Sequence, residues 1–521
     1  MRLERPTGIA RNLGRFIYFR VPRPSKKPFN GMEREMKRDK IDKTASILVI
    51  GAGPAGLSAA YYLKKHGFKN VTIMERLGRV GGLCCSATED YQSFELGAVI
   101  VPPAYREVRK IAASVGMELT PAWGSTAISL SGTDSDDVYH NLFTYLAGGS
   151  SLSAKIRFIL LCGRYIRKWF RHRQIIDKPG WRGVAEHAEL CVSFSEWLRN
   201  NKLENLAPLF EIPITAFGYG DLDEIAAPYV LRYLDPVTFI SGLMSSQKFA
   251  RFVPSFLLLK HFKFGFQRFW ERVAWELNVR LNCKVKRLER NEEGISVTYA
   301  HPAQLINKQV IHENVKAHYD YLILACPLLP EEFQKFMDLT PEEERLSAKL
   351  KFNPYAVTTF EIAGERLRER TVFVLPPPPV GEPLVITQQY EDNELMAFYA
   401  YLPTKDPTSE DEVRLKEQVA RYARAIGGRI RYEDDWHSYD AWHYFRHVTP
   451  TDFRDGYYDD WENIQGKNRT YYVGGLFDFD FVEGIVQYSK NLVKKNFAGS
   501  AGLSSRMKKL LDALLVILTT F

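Results

Sequence analysis

At 521 residues, 45% of them hydrophobic and 25% charged, the chain can bury a large core in two or more substructures, and its composition excludes collagenous, disordered and disulfide-scaffold classes. The net charge of +8 resides in the first 43 residues, which hold 13 basic and 5 acidic side chains, so the body is balanced and a nucleic-acid partner is not expected. The six cysteines (Cys84, Cys85, Cys162, Cys191, Cys283, Cys326) form no CxxC and no ligand spacing with histidine, which reads as a reduced, intracellular protein with no metal.

Residues 1–45 mix arginines with Pro22, Pro24 and Pro28 and read as a flexible basic arm. Organellar targeting by this arm stays open, although Glu33, Glu35 and Asp39 count against it. The stretch SILVIGAGPAGLSAAYYLKKHGFKNVTIMER then predicts a buried strand, a glycine turn, a helix and a second strand. Gly51, Gly53 and Gly56 supply the tight turn, the close approach to a pyrophosphate and the helix-to-sheet packing. The helix opens at Pro54 and Ala55 with its free N–H groups aimed at phosphate, and Glu75 and Arg76 end the second strand where a ribose lies. This unit suits NAD and FAD alike.

Next come the pair Gly81 and Gly82, then Leu83, and a later segment Gly97, Ala98, Val99 and Ile100. Cys84 and Cys85 between them read as small packing residues. Residues 154–176, AKIRFILLCGRYIRKWFRHRQII, predict a helix with one apolar and one cationic side, either a solvated surface helix or one lying on an anionic membrane. The stretch TAFGYGDLDEIAAPYVLRYLD, residues 215–235, predicts an aromatic–glycine turn followed by a helix over 223–233, roofing a pocket for a long apolar substrate. Further on stand GFQRFWERVAWEL, NCKVKRLER with Val285, YDYLILACP, and YYVGGLFDFDFVEGIVQYSKNLV, in which a helix is expected from about Val482. Residues 499–521 end in an apolar run too short to span a bilayer.

The order of these motifs resembles the FAD-containing amine oxidase and carotenoid desaturase superfamily. That resemblance implies an α/β fold with a mixed α+β substrate part: a Rossmann-type FAD-binding domain, a helical cap and a mixed-sheet substrate domain. It lays Gly81 and Gly82 along the pyrophosphate, residues 97–100 past the isoalloxazine, Val285 at the adenine end, and Gly475, Val482 and Glu483 at the flavin edge. Three FAD-binding parts are expected at 46–115, 261–330 and 466–498. A helical cap and substrate segment fills 116–260, and a substrate sheet fills 331–465.

Residues 215–235, WHYFRHVTP at 442–450 and YSKNLV at 488–493 together resemble the bacterial polyenoic fatty acid isomerases that form conjugated linoleic acid. The resemblance implies hydride removal from a polyunsaturated acyl chain and its return elsewhere, with flavin N5 carrying the chemistry and no catalytic side chain. Phe217, Tyr219, Tyr444 and Phe445 are the expected pocket lining, and His447 is a candidate at the flavin face. The family's carboxylate clamp, a basic pair at 120–126, has no counterpart, because residues 111–154 contain neither Lys nor Arg. Either another cation supplies the clamp or the substrate is an acyl lipid at an anionic membrane. Two rival readings stay open: a flavin oxidase or desaturase of an apolar substrate or amine, and a non-catalytic FAD-stabilised membrane adaptor.

Overall fold

Strand Ile47–Ile50 is buried at every residue, as an unbroken apolar run must be when a parallel sheet is covered on both faces. It lies at the centre of a five-stranded parallel sheet ordered Thr470–Tyr472, Tyr321–Leu324, Ile47–Ile50, Val71–Met74, Val279–Arg280. In this computed structural model the described residues are 41–89, 92–122, 126–130, 139–246, 250–306, 309–363, 371–389, 395–404, 406–425, 428–431 and 438–498. Most of the basic arm (1–40) and the apolar tail (499–521) lie outside them.

The chain leaves the central strand toward Val71–Met74 on one side, and its later segments return to pair on the other. Such a reversal opens a crevice at the carboxyl ends of the strands, which is where an α/β sheet binds its ligand. Helix Pro54–Lys65 covers one face there and is packed by helix Val482–Asn496, whose Ser489 hydroxyl donates to the Ala55 carbonyl at 3.2 Å.

The second large sheet runs Arg429–Ile430, Lys351–Ala363, Leu395–Tyr401, Pro383–Thr387, Thr371–Leu375, Thr126–Leu130, Tyr139–Asn141, with Ser438–His447 also paired to Lys351–Ala363. Its alternation assigns the faces. Tyr355, Val357, Ala397 and Tyr399 join the main core, while Ala356, Phe360, Met396 and Phe398 pack beneath helix Ser409–Ala425 with Leu415, Val419 and Ala423.

A helical region is built around residues 152–245. Helix Leu152–Ile176 starts two residues earlier than the sequence pattern suggests, because Ser151 caps it by accepting the Ala154 N–H at 3.2 Å. Its Phe158, Tyr165, Trp169 and Ile176 are buried. Tyr165 and Trp169 donate to the carbonyls of Leu234 and Leu231, each at 2.7 Å, which docks it on helix Ala227–Tyr233. That second helix is shorter than the 223–233 expected: Pro228 sits in its first turn, and residues 221–225 form a turn instead. Among the described residues no helix is long and apolar enough to cross a membrane.

Candidate active site

The first glycine turn is held by contacts that leave no room for side chains. A Cβ on Gly56 would stand 1.9 Å from the Gly51 carbonyl oxygen, and one on Gly97 would stand 1.8 Å from that of Leu83. Gly51 (φ +106°), Gly81 (φ +103°) and Gly82 (φ +54°) adopt backbone that disfavours other residues. Gly82 meets Gly53 face to face, its Cβ position 3.1 Å from the Gly53 Cα. Helix Pro54–Lys65 has no side-chain cap at Gly53, so its opening N–H groups stay available to an anion. The Arg79 guanidinium, which the sequence pattern did not single out, donates to the Gly82 carbonyl at 2.9 Å and braces the turn.

Glu75 accepts the N–H groups of Ala52 (2.8 Å) and Leu77 (2.9 Å), tying the end of Val71–Met74 to the glycine turn. Its neighbour Arg76 is exposed and lies 3.7 Å from Glu332. The Glu75 carbonyl accepts the Cys283 N–H at 2.8 Å, which brings half-buried Val285 to the same end of the cleft. Ala98 donates its N–H to the Leu83 carbonyl at 3.3 Å, and Val99 and Ile100 continue half-buried. Glu95, just before Gly97, accepts from Phe266 N–H (2.8 Å) and Ser86 Oγ (2.6 Å). Gln389 brackets its backbone from the second sheet and donates to Tyr399 Oη at 2.9 Å.

At the second glycine segment a Cβ on Gly475 would meet Asp480 Oδ1 at 2.0 Å, while the Cβ position of Gly474 (φ +150°) has nothing within 4 Å. Helix Val482–Asn496 also begins without a side-chain cap. Its Glu483 does not turn its carboxylate to the cleft. The two oxygens accept the N–H groups of Glu107 and Val108, both at 2.9 Å, and so cap helix Arg106–Ser114. What Glu483 leaves toward the cleft is backbone. Two uncapped helix starts and the paired bare glycines fit a dinucleotide with its pyrophosphate against Gly53 and Gly82.

The turn at 215–220 is pinned to the second sheet. Tyr355 donates to the Ala216 carbonyl, Tyr401 to that of Thr215 at 2.9 Å, and Asn353 to that of Gly218 at 2.8 Å. Gly218 is glycine because a Cβ would strike the Tyr355 ring at 2.9 Å. Between its glycines, buried Tyr219 meets Tyr444 (5.3 Å between ring centres), Phe445 (5.2 Å), Tyr233 (5.4 Å) and Phe479 (4.6 Å). The His447 ring stacks on Phe445 at 4.8 Å, and its Nδ1 lies 2.8 Å from the Phe445 carbonyl. Three of the four expected lining residues, Tyr219, Tyr444 and Phe445, therefore converge, with His447 beside them. Phe217 does not join them; it packs on Phe373 and Tyr399.

Burial pushes the hydroxyls of Tyr105, Tyr219, Tyr355 and Tyr444 well above the usual tyrosine range and that of Tyr233 to about 12. Burial likewise lowers His447 and raises the Cys84 thiol. The aromatic cluster is thus neutral at ordinary pH, and Cys84 is a packing residue. Among the described residues no three His, Cys, Asp or Glu side chains gather to hold a metal.

Comparison with known proteins agrees with this geometry. The chain is 23% identical over 337 residues to a polyenoic fatty acid isomerase of Ptilota filicina, covering 59% of this chain and 63% of that protein. To an L-amino-acid oxidase of Demansia vestigiata it is 25% identical over 269 residues, 50% and 47% of the two chains. It thus spans less than two thirds of the length of these curated relatives. The crystal structure of a CLA-producing fatty acid isomerase from P. acnes superposes with a TM-score of 0.73 at 24% identity, covering 88% of this chain and 100% of that one. A putrescine oxidase bound to putrescine gives 0.58 at 17% identity, over 86% and 98%. These likenesses show an amine-oxidase-like fold. The description "flavin containing amine oxidoreductase" matches residues 54–474, from the first turn of the phosphate-facing helix to the second glycine segment. The chain belongs to that family of flavin-dependent enzymes, and its cofactor is FAD.

Proposed function

We propose that the protein is an isomerase that moves double bonds of polyunsaturated acyl chains into conjugation. The observation that carries this reading is the neutral aromatic cluster of Tyr219, Tyr233, Tyr444, Phe445 and Phe479 beside the second glycine segment. Bound FAD supplies a hydride acceptor and donor. The chain's own part is to orient an allylic carbon, exclude water, and lend aromatic faces to positive charge on the acyl chain. Burial keeps the tyrosine hydroxyls protonated and disfavours the charged form of His447, so the cluster presents uncharged aromatic faces to the acyl chain.

Purified yellow protein mixed with linoleate under anaerobic conditions is expected to develop the ultraviolet absorbance of a conjugated diene, with deuterium from the doubly allylic carbon retained in product. Release of stoichiometric hydrogen peroxide in air, with no anaerobic product, would instead establish the oxidase reading.

The same reading places the protein in peripheral contact with anionic membrane, where acyl lipids reside. Helix Leu152–Ile176 presents Leu152 (74% exposed), Ile156, Ile159 and Leu160 (69%) to the outside. Helix Pro236–Ser245 packs on it through Phe239 and Tyr165, and adds exposed Val237 and Ile240. Its Ser241 hydroxyl bonds the Leu257 carbonyl at 2.8 Å, in a segment exposing Phe252 and Phe256. Arg164, Arg167, Lys168 and Arg171 extend this edge; burial and then the three neighbouring arginines lower the Lys168 ammonium below its usual range. An anionic surface contributes about 1 kcal/mol per cation near it. In liposome flotation, binding is expected to rise with anionic lipid, fall with salt, and weaken in both Arg164→Glu/Arg167→Glu/Arg171→Glu and Ile159→Glu/Leu160→Glu. Unchanged flotation of both variants, or none by wild type, would remove the membrane from this account.

A further inference from the structure

Half-buried Arg446 follows Phe445 on strand Ser438–His447. Its Nε is shut off from solvent and finds no hydrogen-bond partner among the described residues. Burial presses the guanidinium below its ordinary range, while Asp480, Glu332 and Cys326 draw it back up and Arg76 opposes them. Asp480, itself pushed up by burial and relieved by Arg446, does not bond that Nε.

Contacts of its strand locate the residue: the Trp442 Nε1–H donates to the Leu96 carbonyl at 3.1 Å, and the Phe445 and Phe479 rings lie 5.0 Å apart. Cys326 follows strand Tyr321–Leu324, and its N–H lies 3.3 Å from the Cβ position of Gly51. Asp480 lies against Gly475. Arg446 thus stands on the strand that flanks residues 96–100 and the second glycine segment, with Asp480 and Cys326 near enough to act on its charge. A guanidinium N–H taken from water without a partner is disfavoured, and the group's planar fork matches phosphate and carboxylate oxygens.

We propose that Arg446 is an oxyanion-binding residue of the cofactor cleft, with its guanidinium taking a negatively charged oxygen of the bound dinucleotide. The carboxylate of a free acyl substrate offers the same chemistry, and the stretch 111–154 supplies no cation for it. Only this second source rests on the acyl reading.

The test has two arms. Apoprotein stripped of flavin is titrated with FAD, followed by quenching of flavin fluorescence, for wild type, Arg446→Met and Arg446→Lys. Arg446→Met is expected to weaken FAD by about ten-fold or more and Arg446→Lys to restore most of it, with apoprotein melting curves unchanged. Where Met does not fold, Arg446→Gln, polar but uncharged, is read in its place. If FAD affinity is unchanged, reconstituted Arg446→Met is compared on linoleate and methyl linoleate. A KM raised about ten-fold for the acid alone assigns the oxyanion to the substrate. FAD affinity and both KM values at wild-type levels overturn the proposal. In a protein with no isomerase activity the flavin titration decides alone: weakened FAD binding supports the proposal and unchanged binding overturns it.

Discussion

Gly56→Ala is expected to yield a colourless, destabilised protein, whereas Gly53→Ala keeps the fold and loses only part of its hold on FAD. The same methyl group meets two different surroundings. At Gly56 it would stand 1.9 Å from the Gly51 carbonyl and 3.1 Å from Val49 Cγ1, so the helix must lift from the sheet. Overpacking of this kind against backbone costs about 3 kcal/mol or more. At Gly53 the nearest atom is the Gly82 Cα at 3.6 Å, an ordinary contact, and φ −79° with ψ −176° suits any residue. The added methyl then points only into the pyrophosphate path, and FAD affinity is expected to fall about ten-fold while the melting curve barely moves. Equal melting curves for the two variants would show that the helix meets the glycine turn less tightly than these contacts require.

The second large effect is expected at Arg232→Met. Arg232 on helix Ala227–Tyr233 makes a two-pronged ion pair with Asp478, Nε to Oδ1 at 2.8 Å and Nη2 to Oδ2 at 2.9 Å. Both side chains are buried, at 8% and 1% exposure. Removing one partner of a buried pair leaves the other charge uncompensated and costs about 3–5 kcal/mol. Because Asp478 sits between Gly475 and Val482, flavin retention is expected to fall with stability. Adding Asp478→Asn to Arg232→Met should recover much of the loss, since it removes the stranded charge while its amide oxygen can still accept the Phe479 N–H that Asp478 Oδ1 takes at 2.9 Å. A denaturant titration of the single and double variants measures this; no recovery in the double variant would mean that Arg232 acts through packing and not through charge.

The order of the glycine motifs was legible because each obeys a local rule. A phosphate turn between strand and helix needs bare backbone at fixed spacing, and Gly51, Gly53 and Gly56 stand at that spacing. The start of helix Val482–Asn496 was legible for a similar reason, from a glycine pair and an apolar run. The role of Glu483 was not: a Glu beside a cofactor segment gives no sign that its carboxylate will reach back to Glu107 and Val108, which precede it by 376 and 375 residues. Phe217 and Tyr219, two positions apart, looked equivalent, yet one faces Tyr399 and the other Tyr444 because Gly218 turns between them at φ +85°.

By itself the sequence determined the dinucleotide turn, the FAD-type order of segments and the apolar-cationic helix at 154–176, since steric demands on glycine and the periodicity of apolar side chains act within a few residues. Only the tertiary structure decided that Tyr219, Tyr233, Tyr444, Phe445 and Phe479 share one cluster, that Asp478 meets Arg232, and that the Nε of half-buried Arg446 is shut off from solvent without a partner. Those neighbours are set by sheet register and by which faces must leave water, and both are properties of the whole chain.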